Sequence, residues 1–182
     1  MGYVLWHVMM SLDGFIAGPD DAMDWVLGYA SPNPAVDEVI ETTGSVLAGR
    51  RSYDVGRRPS QRPEARKVFG GAWSGPEFVL THRAPDDEDD PTITFLAGDV
   101  RPAVATALEA AAGKNVLIIG ANLAQQCLGE GLVDEILIHL APLLLGDGVR
   151  LFDRVGAAPI HLEPTSVTQS GQVTNLRFHV VD

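Results

Sequence analysis

Positive charge is scarce in this chain, cysteine is almost absent and long apolar runs are missing, and each shortage removes a class of protein. The 182 residues carry 13 Lys and Arg against 24 Asp and Glu, a formal net charge of −11 with pI near 4.7. So acidic a chain is a poor general partner for nucleic acid. The lone cysteine, Cys127, excludes a disulfide framework within the chain, and its apolar surroundings read as those of a small buried hydrophobe. No apolar stretch approaches the ~18 residues that a membrane span needs. The opening MGYVLWHVMMSLDG has no basic n-region, so a cytoplasmic setting is expected. The five histidines show no ligand spacing with Cys127 or a carboxylate, so no metal site is expected. The dinucleotide fingerprint GxGxxG is absent too. What remains is an ordinary globular composition, 46% hydrophobic and 20% charged, enough for one domain over residues 1–182.

The few basic residues are gathered. Arg50, Arg51, Arg57, Arg58, Arg62, Arg66 and Lys67 share one short segment, and His82-Arg83 follows. The acidic run from Asp86 to Asp90 then reads as a solvated loop. A basic island in an acidic chain suits an anionic ligand of limited size, such as a phosphate. From Arg57 onward a solvated arginine-rich loop is the simpler reading.

Hydrophobic patterning predicts alternating strands and helices. Tyr3 to Met10 is a continuous apolar run that suits a central strand. Ser11 to Asn33, rich in Gly, Pro and Asp, reads as a long functional loop, since Phe15, Ile16, Met23 and Trp25 argue against disorder. Asn33 and Pro34 open a helix reaching Thr43. Strands are expected at 45–48, 77–80, 92–96, 116–119 and 135–141. Helices are expected from Gly49, from Asp99 as cap to Ala111, and from Gly120 to about Gly129 or Gly131. Two final strands meet near Ser170-Gly171. Such alternation predicts a largely parallel sheet, made mixed by the terminal hairpin.

Three strand-to-helix junctions carry the chemistry. In VLAGRRSY, Gly49 lets the backbone turn tightly, and Arg50, Arg51 and Ser52 add charge and a hydroxyl. In EFVLTHR a strand ends on Thr81, His82 and Arg83, all suited to a phosphate. In VLIIGANLAQQ, Gly120 leads into Ala121, Asn122 and Leu123, whose N–H groups would start a helix. Each junction alone is common. Together, at the carboxyl edge of one sheet, they suit a dinucleotide. His7 and His139 read as core or sheet residues, and His161 and His179 lie in the terminal strands. Trp6, Trp25 and Trp73 could stack on a heteroaromatic ring, with core packing the default for Trp6.

The motifs MSLDGFIAG (10–18), GRRSY (49–53), VLTHR (79–83), IIGANLAQQCL (118–128) and GLVDEILIHLAPLLLGDGVRLF (131–152), in this order, resemble one group. They are similar to dihydrofolate-reductase-like proteins related to the reductase domain of the bifunctional riboflavin-biosynthesis deaminase/reductase. The resemblance spans nearly the whole chain. It implies a three-layer α/β fold whose mixed, mostly parallel sheet has about eight strands, with NADPH bound across the sheet edge and a homodimer. It implies an NADPH-dependent reductase that transfers hydride to a small heteroaromatic or carbonyl substrate. No zinc deaminase motif is present, so the chain corresponds to the reductase half.

Carried over by position, the resemblance gives roles. Gly49, Arg50, Arg51 and Ser52 would cradle the diphosphate and approach the adenosine 2′-phosphate. Thr81, His82 and Arg83 would hold that phosphate. Gly120, Ala121, Asn122 and Leu123 would cover the diphosphate and the nicotinamide side, where relatives have two or three glycines. Folate reductases carry an acid a few residues beyond an Ala-Met-Pro-Trp segment. Here Ala22-Met23-Asp24-Trp25 matches in outline, but the acid's position is Ala30, which argues against ordinary dihydrofolate reduction. Asp13 and Asp24 are the candidate proton donors, each with a turn or cap role as the alternative. Trp25 is a candidate substrate contact. A nucleotide-binding or sensor module without turnover is the alternative function, and a bound flavin a third possibility.

Overall fold

The computed structural model describes residues 2–59, 61–86 and 90–181. Strand β1 (Val4–Ser11) runs through the centre of an eight-stranded sheet. On one side it pairs in parallel with β6 (Asn115–Ile119), followed outward by β3 (Thr43–Gly49), β4 (Glu77–Leu80) and β5 (Ile93–Leu96), all parallel. On the other side lies β7 (Glu135–Ala141), also parallel to β1. The antiparallel strands β10 (Val173–Val181) and β9 (His161–Ser170) complete that edge. The parallel strands therefore bring their carboxyl ends to one edge, the place where open α/β sheets bind ligands.

Two layers cover the sheet. Helices α3 (Val100–Ala110) and α4 (Ala121–Gly129) bury Val104, Ala107, Leu123 and Ala124 against Trp6, Leu47 and Ile118. Cys127 belongs to this core at 0% exposure, and burial pushes its thiol up to about 11. On the opposite face α1 (Pro34–Thr42) buries Val39 beside Leu5, Leu117 and Leu137, with Val68, Phe69 and Trp73 packed alongside. These fully buried aliphatic side chains each contribute ~1.5–3 kcal/mol of transfer free energy. Among the described residues no helix is long and apolar enough to cross a membrane.

Most elements lie where the patterning puts them, and the differences are instructive. Asn33 does cap α1, accepting a hydrogen bond from the Ala35 N–H at 3.1 Å. Asp99 precedes α3 but makes no side-chain cap bond. The helix predicted to reach Thr43 stops one residue earlier because β3 begins there and pairs Thr43 with Asn115. Helix α2 (Arg50–Gly56) is only seven residues long. The segment expected to be a bare loop contains β2 (Phe15–Ala17) and two 3₁₀ turns, Pro19–Asp21 and Asp24–Tyr29. Strand β2 pairs with β8 (Val149–Arg150), a two-residue strand with no local signature. Part of the acidic run, Asp87 to Asp89, lies outside the described residues.

Candidate active site

The carboxyl ends of β1, β3, β4 and β6 open on one cleft of about 990 Å³. All three junctions meet there. Gly49, Arg50, Arg51 and Ser52, then Thr81, His82 and Arg83, then Gly120, Ala121, Asn122 and Leu123 all line it. The remaining wall comes mainly from apolar side chains of β1, β2 and the Val68–Phe69 turn, together with Met23 and Val149. The cleft thus has a cationic half and an apolar half.

Gly120 shapes the cationic half. Its φ of +106° lies where a side chain is strained, and a Cβ there would fall 2.6 Å from Ser52 Oγ. Past it, α4 begins with no side-chain cap. The Ala124 N–H already bonds the Gly120 carbonyl, so the N–H groups of Ala121, Asn122 and Leu123 have no helical acceptor. Such a start attracts an anion. The short α2 is also without a side-chain cap.

The basic residues here are not equivalent. Arg50 Nε donates to Asp54 at 2.8 Å, and its Nη1 reaches Thr81 Oγ1 and the Arg83 carbonyl. It therefore ties the end of β3 to the end of β4. Arg51 is turned to Asp21, donating at 2.7 Å, and Arg58 grips the other oxygen of that carboxylate at 2.6 Å. Asp21 is buried in an αL backbone with φ 61°, so this clamp fixes the 18–22 loop against α2. His82 and Arg83 stand exposed at the rim. The contact from Arg83 to Asp86 is 3.6 Å between highly exposed side chains and holds little.

The residues expected on the catalytic side do not line the cleft. Asp13 accepts from Ser11 Oγ at 2.6 Å, Gly146 N at 2.7 Å and Leu145 N at 3.1 Å. The Ser11 hydroxyl first, then the two backbone N–H groups, hold its carboxyl down at about 2. A carboxylate so engaged anchors the 145–146 turn to the end of β1. Asp24 is exposed at the start of its 3₁₀ turn. The Trp25 ring lies 6.4 Å from that of Tyr29, and its buried Nε1 has no partner. Ala30 ends the same turn, exposed.

One residue that reads in the sequence as a core or sheet residue belongs to the cleft wall. His7 lines the cleft, and its Nε2 lies 2.6 Å from Nε2 of the buried His139. Sequence offers one faint signal for this: a histidine inside a continuous apolar strand must find a polar partner. Nothing local names a partner 132 positions away. Among the described residues no group of three His, Cys, Asp or Glu could hold a metal ion.

Comparison with known proteins agrees with this architecture. Residues 2–176 match the family described as the RibD C-terminal domain. The uncharacterized protein YwjB of Bacillus subtilis (strain 168) is 28% identical over 178 residues, 94% of each chain. A putative riboflavin biosynthesis protein from Shewanella superposes with TM-score 0.80 at 22% identity, covering 99% of each chain. The deaminase/5-amino-6-(5-phosphoribosylamino)uracil reductase of Thermotoga maritima superposes with TM-score 0.67 at 16% identity, covering 99% of this chain and 57% of that one. The fold is the dihydrofolate-reductase-like one that the motifs implied.

Proposed function

The chain belongs to the RibD C-terminal domain family, and on that premise we propose that it is an NADPH-dependent reductase acting on a small heteroaromatic or carbonyl compound. The family is one of reductases. The observation that carries the cofactor is the convergence of three strand ends on one cleft, where α4 starts without a cap.

The residues fit a phosphorylated dinucleotide. The open N–H groups of Ala121, Asn122 and Leu123, with the Ser52 hydroxyl, would take the diphosphate. The bare backbone at Gly49 and Gly120 allows close approach. Arg50, Thr81, His82 and Arg83 would hold the 2′-phosphate. Arg51, committed to Asp21, contributes mainly by position. When bound, the nicotinamide supplies hydride. The chain's own part is to orient the two reactants and, through the apolar wall, to keep water out. Asp13 serves the loop, and Asp24 and Trp25 would act only from the rim.

The experiment is nucleotide binding followed by fluorescence and calorimetry. NADPH should bind at micromolar concentration, and Arg50→Ala with Arg83→Ala should weaken it about tenfold more than NADH, ~1.4 kcal/mol. Failure of both nucleotides to bind sinks the proposal. A nucleotide-binding module without turnover is the second reading, favoured by the absence of both aspartates from the cleft lining. Oxidation of NADPH by a heteroaromatic panel discriminates the two, and a yellow protein as isolated would point to flavin. Dihydrofolate should not turn over; brisk turnover would defeat the argument from Ala30. We further propose a cytoplasmic homodimer joined near β7, where Leu144 is 69% exposed; sedimentation as a monomer would exclude the dimer.

A further inference from the structure

A chain of hydrogen bonds starts at a backbone donor whose role cannot invert and ends in the cleft. The Ala35 N–H donates to Asn33 Oδ1, which fixes that amide's orientation. Asn33 Oδ1 therefore accepts from Asn175 Nδ2 at 3.2 Å, and Asn33 Nδ2 donates to Asn175 Oδ1 at 2.9 Å. Thr168 and Ser170 hydroxyls also accept from Asn175 Nδ2. With its amide so fixed, Asn175 Oδ1 lies 2.6 Å from His139 Nδ1 and can only accept, whereas the competing donor, Asn33 Nδ2, is 3.4 Å away, so that nitrogen carries the proton. Burial first, opposed by the Asn175 hydrogen bond and aided by the Arg177 charge, lowers the proton affinity of the His139 ring. Its Nε2 is then an acceptor and takes the proton of His7 Nε2–H, 2.6 Å away.

His7 is left with a bare lone pair on Nδ1. That atom takes no hydrogen bond among the described residues, and His7 lines the cleft. The ring packs at 5.5 Å from that of Phe69, on the apolar wall. Burial, then His139, then Arg177 keep His7 neutral, with its ring pushed down to about 3. It is therefore an acceptor at working pH and not a resident acid.

We propose that His7 Nδ1 is the substrate-reading acceptor of the cleft, selecting heteroaromatic compounds that present an N–H or O–H donor, and that Asn33, Asn175 and His139 are positioning residues that fix its tautomer. This rests on the reductase reading, which makes the apolar half the substrate's place. An acceptor that loses its partner in a dry wall penalises a substrate lacking the donor far more than an extra methyl group does.

The test has two arms. Nitrogen-15 spectra of the free protein should show His139 protonated on Nδ1 and His7 on Nε2. In Asn175→Leu both rings should become tautomer mixtures while NADPH affinity stays within twofold. Second, uracil and 1,3-dimethyluracil, the same ring with and without its N–H donors, are titrated into the NADPH-loaded protein. Uracil should bind at least tenfold more tightly, and the ratio should fall to about one in His7→Phe and decline in Asn175→Leu. A His7 protonated on Nδ1, or equal or absent binding of the two probes to wild type, overturns the proposal. Loss of NADPH binding in the wild type is the separate failure of the reductase reading.

Discussion

Two helices begin at opposite faces of the sheet, and they begin in opposite ways. At α1, Asn33 fills the open end with its own side chain, and the same amide then orders a polar network leading to His7. At α4, Gly120 offers no side chain and leaves the first N–H groups open to the cleft. One start is closed and spends its polarity inside the protein. The other is open, and is where the proposed nucleotide would place its diphosphate. The contrast separates scaffold from proposed ligand site better than residue type does, because both first turns, Pro34-Ala35-Val36-Asp37 and Ala121-Asn122-Leu123-Ala124, are mainly apolar with one polar side chain.

Filling the open start should do the most damage. Gly120→Val puts a branched side chain at φ +106° and against Ser52 Oγ. A loss of about 3 kcal/mol in urea unfolding is expected, together with loss of NADPH binding. Unchanged NADPH affinity would show that α4 does not hold the diphosphate. Opening the closed start comes next. Asn33→Ala removes a cap worth about 1 kcal/mol and strips Asn175 of its partner for about as much again, so about 2 kcal/mol in all. Nucleotide affinity should be unmoved.

Within the cationic half, Arg50→Ala should weaken NADPH about tenfold. Arg51→Ala should cost less than about threefold, because that guanidinium is already held by Asp21. The reverse order, read by calorimetry, would show that the ligand draws Arg51 off its clamp. The smallest effect on stability at neutral pH is the protonation contribution of His7. Its folded-state value, about 3, lies below the ordinary 6.5, so the unfolded chain binds the proton first as pH falls. That contribution is complete above pH 6.5 and is lost progressively from there down towards about 3. The stability of wild type minus His7→Phe should therefore fall across that window; a flat difference would mean that His7 is ordinarily basic.

Local signals carried much of this structure. The apolar runs of β1, β6 and β7 announce strands, and the Asn33-Pro34 pair announces a helix start, because each is decided within a few residues. The cleft lining was legible at Gly49, Thr81 and Gly120 for the same reason: a strand end followed by glycine or by hydroxyl and cation is a local pattern. Long-range pairings were not. Val149–Arg150 becomes a strand only because β2 lies beside it. Asp21 is an ordinary loop acid until Arg51 and Arg58 close on it. His7 and His139 stand on neighbouring strands, with Met9 in register with His139. Alternation then places His7 on the same side of the sheet, a fact of topology that no window of sequence contains.

Cys127 gives the molecule a built-in clock. Its sulfur is wholly enclosed between α4 and the sheet, and its thiol is held up at about 11. A thiol reagent can therefore reach it only when that helix lifts away. With a single cysteine in the chain, each alkylation counts one such opening. The alkylation rate, followed with and without nucleotide, would read how far a ligand at the N-terminus of α4 holds down the whole helix, without any introduced label.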